Sequence, residues 1–91
     1  MFFNKYVQNC KKIYEKYGKF NQKLKLIEEC SELIRAIVRK DKENIKEEIA
    51  DVLVLIDQIL GNDPILKKEV LKIKEQKAAR QVKRIEKGIY E

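Results

Sequence analysis

The stretch of sequence that decides the fold is EEIADVLVLI, residues 47–56, in which an acidic motif leads directly into five apolar residues. Together with Ile59 and Leu60, the apolar residues cover every side of a helix, which is typical of a helix surrounded by protein. Glu48 and Asp51 lie on one side of that helix, because residues three apart are neighbours on a helix surface. Asp51 is therefore expected to face neighbouring structure more than bulk water.

A second acidic motif, EECSE at residues 28–32, places Glu29 and Glu32 on one side of another predicted helix. A buried carboxylate needs a proton, a cationic partner or a metal ion, and a divalent cation would relieve the repulsion among four such groups. Because the chain has no His, the ligands on offer are hard oxygens, which favour Mg²⁺ or Mn²⁺ over zinc or copper. The alternative is that both motifs are solvated surface, since 40% of the residues are charged.

Periodicity and composition predict an all-α, four-helix bundle-like subunit, because the chain has only one Pro and three Gly. The first helix is expected to begin at about Phe3. Gly18 is expected to end the first helix, and Asn21 to be the N-cap of the second. Asp41 is expected to cap the start of the third helix, and Gly61-Asn62 to end it. Asp63-Pro64 is expected to begin the fourth helix, which reaches about Lys87. With such short connections, the helices are expected to pack as one compact domain over residues 1–91.

A chain of 91 residues is near the low end of what one core can stabilise, so oligomerisation is a natural way to bury more apolar surface. The sequence has no run near the roughly 20 apolar residues of a membrane span, and no signal-peptide pattern. Its two cysteines lack CxxC spacing. We therefore expect a soluble cytoplasmic protein. In the oligomer, five residues of the third helix are expected to be largely buried: Val52, Leu53, Val54, Ile56 and Ile59.

The second and fourth helices carry distinct stripes of side chains. On one side of the second helix lie Leu24, Ile27, Ser31, Ile34 and Val38. On the fourth helix the apolar positions Leu66, Val70 and Ile73 continue as a cationic stripe made of Lys77, Arg80 and Arg84, with Lys74 at its edge. A second apolar line is expected to keep this helix packed, and its members are Leu71, Ala78, Val82, Ile85 and Ile89.

Lys and Arg outnumber Asp and Glu by 21 to 15, which favours an anionic partner. The cationic stripe is interpreted as a surface for phosphate groups, and the alternatives are a solvated face or ion pairs with the acids of another subunit. Tyr17 and Phe20, near the start of the second helix, are candidates for stacking on a base, although aromatic residues at helical spacing are more often core.

The two acidic motifs, read as Glu28-Glu29-x-x-Glu32 and Glu48-x-x-Asp51, resemble the EExxE…ExxD signature of the MazG-like all-α nucleoside triphosphate pyrophosphohydrolases. That family also includes dimeric dUTPases and dCTP pyrophosphatases. The likeness extends from about Gly18 to Arg84 and includes Asn21-Gln22. The resemblance implies a homodimer or homotetramer that cleaves a nucleoside triphosphate to the monophosphate and pyrophosphate. It also implies that the catalytic magnesium site consists of Glu29, Glu32, Glu48 and Asp51.

The resemblance implies further roles on the fourth helix, where Lys77 matches a lysine that contacts phosphate, with Arg80 and Arg84 as companions. Glu28, Gln22, Lys25 and Lys74 are secondary candidates. In the mechanism implied, metal ions neutralise the triphosphate and activate a water, which Glu32 or Glu29 orients. The chain departs from many relatives in having no Trp or His and no Asn shortly after the lysine, so base selectivity is not predicted.

A rival hypothesis is a non-catalytic helical oligomer whose basic surface binds nucleic acid or another anionic partner. The net charge of +6 is compatible with this, but the sequence contains no recognisable nucleic-acid-binding motif. Nucleic acid is therefore not the expected partner.

Overall fold

The computed structural model describes residues 4–88, which form α1 (Lys5–Tyr17), α2 (Lys19–Arg39), α3 (Lys42–Gly61) and α4 (Pro64–Glu86). No strand occurs within these residues. The predicted all-α, four-helix class is therefore confirmed. Phe3, the expected start of the first helix, and Ile89, the last member of the predicted apolar line, lie outside the described residues.

Most of the predicted helix ends are confirmed by their capping contacts. The carboxylates of Asp41 and Asp63 each accept a hydrogen bond from a backbone N–H three residues later, at 3.2 and 3.0 Å. Gly18 ends α1, and Pro64 is the first residue of α4. These ends are predictable because a cap depends on only a few neighbouring residues.

The predicted start of the second helix is wrong by three residues, because Asn21 was expected as its N-cap. Gly18, at φ 87°, is both the C-cap of α1 and the N-cap of α2, so α2 begins at Lys19. This backbone conformation suits glycine, and it joins α1 to α2 through a single residue. Asn21 is therefore already inside α2, where its side-chain amide donates to the carbonyl oxygen of Tyr17 at 2.8 Å.

The core is formed by α1, α2 and α3. An antiparallel hairpin of α2 and α3 turns at Lys40, which is in the left-handed conformation, and α1 packs against both helices. Cys10, Ala36 and Leu55 are buried, one from each helix. α3 contacts all three other helices, as expected for a helix that is apolar on every side.

α4 departs from the expected compact unit. Within residues 4–88 it packs against α3 alone and has no buried residue. The radius of gyration is 16.3 Å, whereas a compact chain of this length has about 12 Å. Leu71, Val82 and Ile85 are all exposed, so these members of the second apolar line are not buried by the described residues of the chain. We attribute this to the stripe that begins with apolar side chains in the first half of α4. In the second half of the helix the same stripe consists of cations, which do not form an apolar contact with the core: Lys77, Arg80 and Arg84.

The apolar stripe of α2 also faces away from the core. Ile27 is 68% exposed and Val38 is 75% exposed, and Leu24 and Ile34 are exposed as well. The side of α2 that is buried against its neighbours carries Gln22 and Ala36 instead. In α3, Leu53 is exposed, and four other residues of the set expected to be buried are half-buried: Val52, Val54, Ile56 and Ile59.

We expect the chain to associate into a dimer or tetramer, because contiguous apolar stripes on α2 and α4 are costly to leave in water. Light scattering at micromolar concentration should give at least twice the mass of one chain. A stable monomer under those conditions would contradict the prediction, and the burial expected for α3 in the oligomer would then be lost with it.

Candidate functional site

Three of the predicted acidic residues converge where α2 faces α3. Glu29 comes from α2, and Glu48 and Asp51 come from α3. Each offers a carboxylate oxygen, and these oxygens all lie within 4.8 Å of one another. We call these three residues the acidic cluster. Such a set of oxygen ligands has the composition and spacing of a site for a hard divalent cation.

Glu48 differs from the other members of the acidic cluster in having a buried carboxylate oxygen without a hydrogen-bond partner among the described residues. Its Oε2 atom is buried and has no hydrogen-bond partner within the described chain. Burial is the largest cause that raises the pKa of Glu48, followed by the negative charges of Glu29, Asp51 and Glu32. A buried oxygen without a partner, beside other carboxylates, fits a site for a metal ion.

The burial predicted for Asp51 is wrong for the single chain, because Asp51 is exposed. It lies at the wall of an open pocket, whereas Glu48, one turn earlier on α3, has the buried oxygen. Sequence periodicity placed both residues on the correct side of the helix. It did not show how deeply each side chain lies.

Glu32, the fourth predicted carboxylate, is half-buried and is not a member of the acidic cluster. Its side chain forms an ion pair with Arg35, one turn further along α2. Its negative charge nevertheless contributes to raising the pKa of Glu48. The structure thus brings three of the four acids together and leaves the fourth beside them.

Lys25 lies at the edge of the acidic cluster. Its Nζ atom is 3.4 Å from both Glu28 Oε1 and Glu29 Oε1, and these contacts, with Glu28 first, raise the pKa of Lys25. Only 13% of the Glu29 side chain is exposed, compared with 65% for Glu28. Glu28 therefore points to solvent, while Lys25 partly neutralises the acids.

An open pocket of about 720 Å³, here called the acid pocket, adjoins the acidic cluster. Glu29, Asp51 and Lys25 line one part of it, and Tyr17 and Asn21 line another. Its volume is in the range of pockets that bind small molecules. Tyr17 is therefore positioned beside the acids, as a base-stacking residue would be.

Phe20, the other aromatic candidate, is 73% exposed and is not among the residues that line the acid pocket. Gln22 does line it, together with Gln58, and the amide nitrogen of Gln22 donates to Gln58 Oε1 at 2.8 Å. Gln58 was missed by the sequence analysis. The available signal was a glutamine within the largely apolar third helix, where a buried amide is expected to have a hydrogen-bond partner.

The cationic stripe is not brought to the acidic cluster within one chain. Lys77 and Arg80 are exposed and Arg84 is half-buried, and none of them lines the acid pocket. Lys74 lines a different groove, of about 830 Å³, between α1, α3 and α4. In that groove the hydroxyl of Tyr6 donates to Asp57 Oδ2 at 2.6 Å, and this contact is the main reason that the pKa of Tyr6 is raised.

Comparison with protein families identifies the segment that contains the acids. Residues 18–60 match the family model of the MazG nucleotide pyrophosphohydrolase domain. This segment is therefore similar to the MazG family, and we call it the MazG-like segment. The resemblance predicted from the sequence is confirmed over residues 18–60, where it suggests nucleotide pyrophosphohydrolase activity, and its extension to Arg84 stays a prediction. The MazG-like segment contains the acidic cluster and both pocket glutamines, but it ends before α4 and the cationic stripe.

Searches of the curated proteins and of the solved structures each returned no significant match to this chain. Among the described residues, no helix is long and apolar enough to cross a membrane.

The raised pKa of Glu48 makes a prediction about pH. Because its pKa is raised, Glu48 binds a proton more tightly in the folded protein than in the unfolded chain. Protonation of Glu48 therefore adds to the free energy of unfolding of the metal-free protein. This contribution is lost as the pH rises through the raised pKa. In Glu48→Gln the amide resembles the protonated acid at every pH. In EDTA, the variant should therefore melt above the parent near neutral pH, and the difference should shrink as the pH falls. A difference independent of pH would contradict this account.

Proposed function

We propose that this chain is a homo-oligomeric hydrolase that converts a nucleoside or deoxynucleoside triphosphate to the monophosphate and pyrophosphate. The observation that supports this most strongly is the acidic cluster itself, in which three carboxylates lie within 4.8 Å and one buried oxygen has no partner within the described chain. The MazG nucleotide pyrophosphohydrolase match over the same segment supports the same reaction class.

The proposed cofactor is Mg²⁺, with Mn²⁺ as a substitute. Glu29, Glu48 and Asp51 would hold it, with Glu32 close by, and their hard oxygens suit either ion. When bound there, the ion supplies neutralisation of phosphate charge and a lower pKa for a coordinated water. Its positive charge would also satisfy the orphan oxygen of Glu48.

Other side chains have proposed roles around the same pocket. Glu32, which lies outside the acidic cluster, is the proposed group that orients the attacking water and accepts its proton. Tyr17 provides a face for the base. Lys25, held near Glu29, is the nearest cation for a phosphate oxygen entering the acid pocket. The cationic stripe would bind further phosphate oxygens and, because α4 projects from its own core, would reach the acid pocket of a second subunit.

The test is product analysis on mixed ribonucleotides and deoxynucleotides, with Mg²⁺ or with EDTA. Phosphorus NMR should show a nucleoside monophosphate and pyrophosphate in equal amounts when the metal is present. Mn²⁺ should restore activity after EDTA treatment, because it accepts the same oxygen ligands. Activity in EDTA should be undetectable.

Glu48→Gln, purified in the same way, is the control for a contaminating phosphatase. Release of orthophosphate in place of pyrophosphate would point to a different reaction. Equal activity in EDTA and in Mg²⁺ would overturn the metal-dependent mechanism.

A second candidate function rests on the exposed basic half of α4. Lys77 and Arg80 are both exposed and lie apart from the acid pocket, a placement that also suits an anionic polymer. In that case, the protein should bind DNA or RNA with an affinity that falls steeply with salt, and Glu48→Gln should leave this binding unchanged. Hydrolysis that depends on Glu48, without salt-sensitive binding of nucleic acid, would exclude this candidate.

A further inference from the structure

Gln22 and Gln58 form a buried amide pair between α2 and α3. The side-chain amide of Gln22 donates to Gln58 Oε1 at 2.8 Å, and the two residues are only 6% and 1% exposed. A buried amide is costly unless it is hydrogen-bonded. This hydrogen bond is directional, so it is satisfied only when the two side chains lie opposite each other.

The pair occupies the same helical stripe as the proposed metal ligands. Glu29 follows Gln22 by seven residues on α2, and Asp51 precedes Gln58 by seven residues on α3. Because the helices are antiparallel and seven residues make about two turns, a register that pairs the glutamines also pairs Glu29 with Asp51. One further step of three residues on each helix brings Glu32 opposite Glu48.

Two separate observations agree with this register. The glutamines are hydrogen-bonded, and the oxygens of Glu29 and Asp51 lie within 4.8 Å. A slip of one helix by a single turn would move its side chains by about 5.4 Å. Such a slip exceeds the whole span of the acidic cluster, so the cluster forms in one register only.

Little else in the interface between α2 and α3, here called the seam, specifies the register. The residues of α2 and α3 that are buried number four, and two of them are Gln22 and Gln58 themselves. Apolar contacts such as those of Ala36 and Leu55 are not directional and tolerate sliding. The carboxylates repel one another in the metal-free protein, which favours any register that separates them.

We propose that the Gln22–Gln58 hydrogen bond is a register clamp, in which the two glutamines act as positioning residues that hold the carboxylates of α2 opposite those of α3. Single buried polar pairs fix register in this way in helical coiled coils. The proposal rests on the proposed metal site, because it explains what positions the ligands of that site before a cation binds.

The test uses Gln22→Met and Gln58→Met, singly and together, because methionine keeps the length of the side chain and removes the hydrogen bond. Each single variant strands one buried amide and should melt below the parent, whereas the double variant strands none and should regain most of the loss. Affinity for Mn²⁺, measured by titration with electron paramagnetic resonance, should nevertheless fall about tenfold or more in the double variant. Gln8→Met on α1 is the matched control and should bind Mn²⁺ as the parent does.

A second readout needs no metal. In EDTA, Glu48→Gln should raise the melting temperature of the parent by relieving repulsion, but should raise it less in the double methionine background, where the acids are free to separate. Gln8→Met, which leaves the Gln22–Gln58 hydrogen bond in place, should preserve the parent's response to Glu48→Gln.

The outcomes separate the clamp from the proposed function. If the parent binds Mn²⁺, Glu48→Gln does not, and the double methionine variant binds as tightly as the parent, the clamp is refuted and the metal site stands. If Glu48→Gln binds Mn²⁺ as the parent does, the metal site fails. An undiminished stabilisation by Glu48→Gln in the double methionine background would refute the clamp whatever the metal result.

Discussion

Glu48→Gln and Asp51→Asn should each lower hydrolysis by at least about a hundredfold while keeping the four helices. Both changes preserve side-chain shape and remove a negative charge, and loss of a metal ligand costs more than the 10–100-fold typical of a residue that merely supports one. In the absence of metal, both variants should melt at or above the temperature of the parent, because one source of repulsion in the acidic cluster has gone. Circular dichroism melts beside the activity assay give both quantities.

Glu47→Gln is the matched control for these variants. Glu47 is an exposed acid immediately before Glu48, and it is not part of the acidic cluster. Its substitution should leave both activity and the stabilisation by Mg²⁺ unchanged. An active Glu48→Gln protein that Mg²⁺ stabilises as much as the parent would overturn the metal site. Marked destabilisation by Glu48→Gln would instead indicate a structural ion pair.

Lys77→Ala or Arg80→Ala should raise the Michaelis constant about 10- to 100-fold, the effect of losing one charge-assisted hydrogen bond to phosphate. Affinity for Mg²⁺ without nucleotide should not change, because a cation contacts the substrate and not the metal. Steady-state kinetics and metal titration separate the two effects. Lys68→Ala is the control, since Lys68 is exposed and lies about half a turn around α4 from Lys77.

Mixing two impaired variants, at a substrate concentration too low for Lys77→Ala to turn over well, tests where these cations act. If the cationic stripe reaches the acid pocket of another subunit, Lys77→Ala and Glu48→Gln should partly complement each other once their subunits exchange. An unchanged Michaelis constant and turnover in Lys77→Ala would show that the stripe is ordinary surface, as in the alternative interpretation of the sequence.

Local chemistry explains which features were predictable. Asp41 and Asp63 cap helices through contacts with residues three positions away, so their roles can be read from a few letters of sequence. The convergence of Glu29 with Asp51 was also predictable in outline, because acidic residues at helical spacing on two successive helices meet if those helices form a hairpin.

The features that were not predicted depend on which side of each helix packs against a neighbouring helix. The periodicity of the sequence does not determine this. A pattern shows that Leu24 and Ile27 share an apolar face, but it does not show that this face is exposed while the buried seam contains amides. For the same reason, the sequence around Gln58 did not show that its hydrogen-bond partner is Gln22 on α2. The placement of α4 was missed because its apolar residues indicate packing without saying which molecule provides the other surface.

The exposed apolar stripes of α2 and α4 have a consequence for how the stability of this protein depends on its concentration. If those stripes are covered by other copies, the free energy of unfolding includes the free energy of association, and the melting temperature rises with protein concentration. Specific activity would then fall on dilution, as dissociating subunits lose the cations that a neighbour supplies. Turnover numbers measured at nanomolar and at micromolar enzyme would describe two different populations of molecules.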